Sequence, residues 1–285
     1  MALRREVLAN AFQVAFAAAT LRVGGIAPAH QQYLHCYVPY PPPRHVDTSL
    51  RLLRSFAYEQ FRPAVFYSGL ARDTRSLLDA LWQDTTSPSP AGLTGRAVLD
   101  VGGGPGYFAD AFADTFYVGM EPDVSELSAA GLSGYGAVRG DGAHLPFADG
   151  SFDLVYSSNV AEHIPNWRAM GEEMLRVVKP GGLVVLSYTV WLGPFGGHET
   201  GLWEHYIGGE FARRHYERKH GRRPKNVWGT SLFAVSAREG LKWAETIGRL
   251  LAAFPRYHPH WAWWLTRVPV LREFAVSNLV LVLRG

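Results

Sequence analysis

The stretch Val98-Leu99-Asp100-Val101-Gly102-Gly103-Gly104-Pro105-Gly106-Tyr107-Phe108 decides how the chain is read. Residues 97–101 are apolar apart from one carboxylate and read as a buried strand. That strand breaks into a glycine-rich turn, and residues 107–113 read as the helix the turn opens. Glycines there let backbone N–H groups approach a ligand where any side chain would collide. A helix N-terminus beyond the turn offers unpaired donors and a partial positive charge. Strand, turn and helix together start a Rossmann-like, nucleotide-cradling fold.

The residues around the turn separate the ligand classes that use it. A dinucleotide fingerprint, G-x-G-x-x-G/A, fails at Gly102 and Gly104 because Tyr107 stands third; Gly104, Gly106 and Ala109 fit only its relaxed form. No Gly-Lys-Ser/Thr follows any glycine run, which argues against a phosphate-loop NTPase. The better fit is D-x-G-x-G-x-G over Asp100, Gly102, Gly104 and Gly106. This resembles the first motif of class I S-adenosylmethionine-dependent methyltransferases.

Three further pieces follow in the order that family uses. Phe116-Tyr117-Val118-Gly119-Met120-Glu121 reads as a second strand ending in a carboxylate able to accept both ribose hydroxyls. Gly140-Asp141-Gly142-Ala143 follows a short third strand over residues 137–139. Phe152-Asp153-Leu154-Val155-Tyr156-Ser157-Ser158-Asn159 reads as a fourth strand leading into Val160-Ala161-Glu162-His163. Then Leu175-Arg176-Val177-Val178-Lys179-Pro180-Gly181-Gly182 reads as a helix end and turn, with a fifth strand over residues 183–188.

The resemblance to class I methyltransferases covers roughly residues 96–190. It implies an α/β, Rossmann-like, doubly wound, seven-stranded and mostly parallel sheet with helices on both faces. An N-terminal helical cap and insertions after strands five and six complete the expected fold. S-adenosyl-L-methionine is the implied cofactor. Its contacts are assigned to Asp100, Gly102, Gly103, Gly104, Gly106, Glu121, Pro122, Asp141, Gly142, Ala143, Asn159 and Val160. Among these, the resemblance puts Asp141 at the adenine amino group and the Ala143 backbone near the ring.

Composition bounds the rest. At 285 residues, 47% hydrophobic and 19% charged, the chain suits one globular domain with decorations. Its single cysteine, Cys36, rules out an internal disulfide framework and lies far from the motifs, against a cysteine-nucleophile mechanism. The net charge of +3 gathers in Arg213, Arg214, Arg218, Lys219, Arg222, Arg223 and Lys225. That block reads either as a solvated helix face or as a patch for an anionic partner. Nucleic acid is not expected, because Ser158-Asn159-Val160-Ala161 stands where amino-methylating nucleic-acid enzymes carry Asn/Asp-Pro-Pro-Tyr.

Residues 1–19 imitate a signal peptide, but Asn10 and Gln13 interrupt the apolar centre and the cofactor is cytosolic. With Pro39-Tyr40-Pro41-Pro42-Pro43 close behind, residues 1–45 read as a poorly ordered extension. Residues 46–285 then form the domain: helices over 46–95, a cofactor core over 96–190, an acceptor-side insertion over 191–230, and a helix with two strands over 231–285. A helix begins near Asp47, another covers residues 63–82 with Leu70, Leu77, Leu78 and Leu81 on one face, and Ser236 with Glu239 forms a capping box for the helix whose inward face carries Trp243, Ile247, Leu250 and Leu251.

Methyl transfer from a sulfonium is an in-line displacement in which the protein chiefly positions reactants and excludes water. An acceptor proton calls for a general base; the candidates are His163 and His198. Tyr67, Tyr188, Trp191, His198, Arg213 and Arg214 are the candidates for acceptor binding. For Tyr67 the favoured alternative is a helix-packing aromatic, and for Tyr188 it is strand packing. The histidines show no metal-ligand spacing, so no metal is expected. Trp261, Trp263 and Trp264, beside Arg256, Arg267 and Arg272, read as core, as a stacking platform or as a membrane-interface contact. Residues 189–199 and 254–259 also resemble uncharacterised actinobacterial methyltransferases, which suggests cell-envelope, lipid or glycan chemistry. The expected protein is therefore a cytoplasmic methyltransferase, with peripheral contact to the inner face of the membrane in view. Its acceptor is a small molecule, a lipid or a glycan. A catalytically silent binding protein and a nicotinamide-dependent oxidoreductase are the alternatives.

Overall fold

Strand placement follows hydrophobicity closely. The structure, a computed structural model, describes residues 63–86, 92–123 and 136–285. The expectations for residues 1–45 and for the helix near Asp47 lie outside these residues. Strands β1 (Ala97–Val101), β2 (Phe116–Glu121), β3 (Ala137–Arg139), β4 (Phe152–Ser158), β5 (Val178–Thr189), β6 (Leu250–Pro255) and β7 (Asn278–Arg284) form one sheet. Their order is β3-β2-β1-β4-β5-β7-β6. The first five run parallel, whereas β7 pairs antiparallel with both β5 and β6. This is the expected doubly wound, mostly parallel sheet. Its central strands are buried on both faces, which is why β1 and β4 read as apolar runs rather than alternations.

Helices cover both faces. Leu70, Leu77, Leu78 and Leu81 of α1 (Pro63–Thr85) are all buried, as their spacing predicts. On α2 (Trp167–Val177) the inward stripe is Trp167, Met170, Gly171, Met174 and Val177. The insertion after β5 holds α3 (Glu204–Ile207) and α4 (Gly209–His220); α5 (Ala237–Ile247) and α6 (Leu271–Ala275) flank β6. The capping box is present: the Ser236 hydroxyl accepts the Glu239 N–H at 3.1 Å and the Glu239 carboxylate accepts the Ser236 N–H at 3.1 Å. No helix among the described residues is long and apolar enough to cross a membrane.

Three local readings need correction. The helix expected over 107–113 is a single 3₁₀ turn, Ala109–Phe112. Phe112 must drop into the core and β2 begins at Phe116, so one turn fills the space, and Arg75 from α1 caps the Ala111 carbonyl at 3.1 Å. β5 starts at Val178 and carries Lys179-Pro180-Gly181-Gly182 within the strand. A register shift opposite Phe152 and a Gly285 N–H donated to the Gly182 carbonyl at 2.9 Å hold that irregular start. Leu250 and Leu251 belong to β6, because Gly248 ends α5 in the left-handed conformation (φ 71°).

Gly171 sits in α2 where the Trp243 ring of α5 presses directly on the helix backbone. At an open helical site, glycine to alanine stabilises by about 1 kcal/mol. Here the added Cβ would strike the indole, so Gly171→Ala should instead destabilise by roughly 1–3 kcal/mol in urea unfolding. A variant more stable than the parent would show that Trp243 does not lie on this glycine.

Candidate functional site

The glycine turn is fixed from below by β2. The N–H groups of Gly102 and Gly103 both donate to the Met120 carbonyl, at 2.8 and 3.0 Å, and the Gly104 N–H donates to the Glu121 carboxylate at 3.2 Å. These donors therefore serve the fold rather than a ligand, which corrects the expectation that they are presented outward. Gly102, Gly104 and Gly106 all take positive φ, at 84°, 53° and 84°. A Cβ on Gly102 would collide with Val160, so this glycine keeps the turn against the end of β4. A Cβ on Gly104 would meet open space.

Asp100 lies under the turn, fully buried. One carboxylate oxygen accepts two phenol hydroxyls, from Tyr117 of β2 and Tyr156 of β4, each at 2.8 Å. Strand register explains the pair. Tyr156 stands directly opposite Asp100, and Tyr117 is aligned two residues back, opposite Val98. Gly119, opposite Asp100 on β2, leaves room for the Tyr117 ring. Burial pushes the Asp100 carboxyl up to about 6 against the lowering effect of the two hydrogen bonds, and the Glu121 charge adds to the rise. Both tyrosines are raised well above their ordinary range, chiefly by burial. Asp100 thus faces the core as a brace for the turn, a correction to its assignment as a ligand contact.

The remaining cofactor candidates line the carboxyl edge of the sheet. Glu121 ends β2, with its carboxylate taking the Gly104 and Asp123 N–H groups at 3.2 and 3.3 Å. The Pro122 carbonyl next to it accepts Arg139 Nε at 3.3 Å. Asp141 is exposed and accepts the Ala143 N–H at 2.9 Å, with His144 Nδ1 at 3.2 Å on its other oxygen. The backbone bond to Ala143 is the main cause of its lowered carboxyl pKa. The Ala143 N–H is therefore engaged by Asp141. Gly142 backs onto Met170 of α2, where a Cβ would lie 3.2 Å from it. Asn159 adopts φ 58° just past β4, donates its N–H to the Ser187 carbonyl at 2.8 Å and accepts Asn278 Nδ2 at 2.6 Å.

Beyond Val160 the chain makes one 3₁₀ turn, Ala161–His163, and meets the insertion. The His163 and His198 rings lie 5.1 Å apart, edge to face. His163 Nδ1 is 2.6 Å from the Ser231 carbonyl. Glu162 is buried, and its Oε1 accepts the Thr189 N–H at 3.1 Å from the end of β5. Burial lowers the pKa of His198 and outweighs the opposing Glu162 charge. Both histidine candidates thus come together beside the glycine turn, at the sheet edge where doubly wound folds bind ligands.

Comparison with known proteins places this arrangement. A methyltransferase-domain family matches residues 99–186, from β1 into β5. The chain is 62% identical over 246 residues to an uncharacterised methyltransferase of Mycolicibacterium gilvum, covering 84% of this chain and 94% of the relative. It is likewise 62% identical over 241 residues to an uncharacterised methyltransferase of Mycobacterium tuberculosis, covering 82% of this chain and 93% of that protein. The chain belongs to this methyltransferase family. An Archaeoglobus fulgidus S-adenosylmethionine-dependent methyltransferase of known structure shares the fold, with a TM-score of 0.50 and 14% identity over 81% of this chain and 99% of that one.

S-adenosyl-L-methionine is the cofactor expected of this methyltransferase, and the residues fit it. The open side of Gly104 leaves space for a ligand against the turn, and Glu121 stands at the adjacent strand end with carboxylate lone pairs for hydroxyls. When bound, the cofactor supplies an electrophilic methyl group on sulfur.

The acceptor candidates divide. Trp191 packs on Trp228, with ring centroids 4.4 Å apart, and on His205 at 5.6 Å, so it lines the insertion next to the histidine pair. Tyr67 stacks on Tyr107 of the glycine turn at 5.1 Å with nearly parallel rings. Tyr188 is buried instead, donating to the Ser236 carbonyl at 3.0 Å under Gly240, and cannot meet an acceptor. Arg213 is held by Glu210 and Glu217 and Arg214 by Glu210, all within α4, so both lie on a charge-paired helix face rather than in an anion site. Trp263 is core, stacked on Phe254 at 4.4 Å, whereas Trp261 is 77% exposed. Arg256 is buried and donates to Ser158, Thr74 and Asp73 at 2.7, 2.6 and 3.3 Å. Sequence reading missed it as a brace because its three partners come from α1 and β4, distant in the chain.

Two measurements test this site. Asp100 binds its proton more tightly in the folded than in the unfolded chain, so the native state holds more protons between about pH 4 and pH 6. The contribution of Asp100 to wild-type stability should therefore fall as pH rises through that window, against the opposite contribution of carboxylates such as Asp141 and Glu210. Asp100→Asn lacks this loss, so its stability relative to wild type should improve by about 2–3 kcal/mol from pH 4 to pH 7; a pH-independent difference would contradict the burial described. Separately, Gly104→Ala and Gly104→Val both strain the left-handed backbone at this position, valine somewhat more, and differ chiefly in bulk. Valine should weaken S-adenosyl-L-methionine binding at least tenfold more than alanine in calorimetry, and equal losses would place the ligand elsewhere.

Proposed function

We propose that this methyltransferase moves the methyl group of S-adenosyl-L-methionine to a hydroxyl of an amphipathic small-molecule, lipid or glycan acceptor. The pairing of His163 with His198 beside the glycine turn carries the reading. The Ser231 carbonyl only accepts, so Nδ1 of His163 carries a proton, and in the neutral form of the imidazole the lone pair sits on Nε2. With the cofactor bound, its sulfonium would supply the methyl group to the acceptor oxygen, the C–S bond breaking as the C–O bond forms. The hydroxyl proton passes to an imidazole nitrogen of the pair. Trp191 and Trp228, packed on each other in the insertion, would help to exclude water from the reacting atoms.

The apolar part of the acceptor is argued from the surface beyond the pair. His205 packs on Tyr206 at 4.1 Å, and Tyr206 on Phe274 at 6.2 Å. This joins the two insertions into one exposed apolar stretch containing Trp203, Ile207, Val270 and Phe274. Patches of this kind mark lipid or partner contact, and the reading supports work at the inner face of a membrane. The motif residues that favour a nicotinamide oxidoreductase are limited to the relaxed glycine pattern. A silent binding protein would have no use for a histidine pair held at this edge of the sheet.

Incubating cell-envelope and soluble extracts with methyl-labelled cofactor and the enzyme should label an extractable lipid or glycolipid. His198→Ala should reduce that labelling at least a hundredfold while leaving cofactor affinity unchanged. Ile207→Ser with Phe274→Ser should reduce labelling of the lipid fraction with cofactor affinity intact. Label confined to nucleic acid, or labelling indifferent to His198→Ala, would refute the acceptor assignment.

A further inference from the structure

The histidine pair has a third member. Glu162, His163 and His198 present ligand atoms that all lie within 4.8 Å of one another. We propose that these three residues form a binding site for a divalent first-row transition-metal ion, with zinc the best chemical match. Spacing along the chain hides it, since His198 comes from the insertion after β5 and the other two from the turn after β4.

Each donor is prepared in a different way. Glu162 is 1% exposed; its Oε1 is taken by the Thr189 N–H, while Oε2 has no partner and is buried. A carboxylate oxygen left so is costly unless a cation or donor reaches it. His163 gives its Nδ1 proton to a backbone carbonyl, the contact that fixes tautomer and ring orientation in metal-ligating imidazoles. His198 Nε2 is buried without a partner, and the residue holds φ 48° at the start of a 3₁₀ turn, a conformation that costs a non-glycine residue. The strained backbone delivers the imidazole to the other two donors.

Two imidazoles and one carboxylate are the donor set of catalytic zinc, with a fourth position left for water or substrate. Magnesium and calcium prefer oxygen cages and fit poorly. Metal–ligand distances near 2.1 Å put tetrahedral ligand atoms about 3.4 Å apart, so binding would draw atoms that now lie within 4.8 Å of one another in by about 1.4 Å at most. The binding site stands on this geometry alone. Its use in catalysis rests on the acceptor reading above: the ion would polarise the acceptor oxygen in place of an imidazole acting as base.

The test uses the full-length protein, stripped with chelator and titrated with Zn²⁺ and, separately, Co²⁺. Wild type should bind one equivalent of zinc that His198→Ala and His163→Gln each weaken at least tenfold, while His220→Ala, at an exposed position on α4, binds as wild type does. Bound cobalt should show the visible absorption of four- or five-coordinate sites and lose it in His198→Ala. S-adenosyl-L-methionine affinity and melting temperature verify that each variant is folded; should one fail, the other carries the comparison. No zinc binding up to millimolar concentration, or equal binding by wild type and both site variants, overturns the site and leaves the imidazole base as the agent. Zinc bound as described without methyl transfer to any extract would count against the acceptor reading, not the site.

Discussion

A single buried carboxylate oxygen ties the middle of the sheet together. Asp100 on β1 receives hydroxyls from both neighbouring strands, so β2, β1 and β4 are cross-linked side to side beneath the glycine turn. Parallel strands joined through long crossovers have no hairpin to fix their register. Here the polar contacts within an apolar layer select the register in which three side chains meet, since any slip would bury an unpaired carboxylate. The turn above inherits this precision through the Met120 carbonyl, which takes two of its N–H groups.

A second brace works one strand further along. The Glu162 carboxylate holds the end of β5 through Thr189, and its backbone carbonyl accepts the Phe233 N–H at 2.8 Å. Arg256 completes the edge by joining β4 to α1 from the end of β6. These contacts are spaced along the carboxyl ends of the strands, so the candidate cofactor residues and the candidate acceptor residues share one rim. The two insertions leave from that rim and meet again through Tyr206 and Phe274. Chemistry on such a fold depends on what the loops bring to the edge rather than on the sheet itself.

Two arginines of the basic block in the insertion are compensated within their own helix. On α4, Glu210 and Glu217 take up the arginines one turn away, and the lowered carboxyl pKa of Glu210, due first to Arg213, reflects that pairing. Exposed i,i+3 and i,i+4 pairs of this kind are screened by solvent and add little to stability. They leave the apolar rim of Trp203, Ile207 and Phe274 as the more distinctive surface of the insertions.

The sequence by itself determined the sheet. Apolar runs at 97–101, 116–121, 152–158 and 278–284 and the glycine turn have one consistent arrangement, because hydrophobic period and turn chemistry act over a few residues and are written locally. It also determined the capping box at Ser236 and the inward face of α1 for the same reason. The tertiary structure alone decided which side chains serve the site. Asp100 turned inward because Tyr117 and Tyr156 stand beside it only once the strands are in register, and Tyr188 was lost to the core under Gly240. Arg213 and Arg214 found carboxylates on their own helix, where a linear count of basic residues had suggested an anion patch. Glu162, His163 and His198 became neighbours across some 35 residues of chain, a proximity no local pattern encodes, since it is set by where β5 ends and how the insertion folds back onto it.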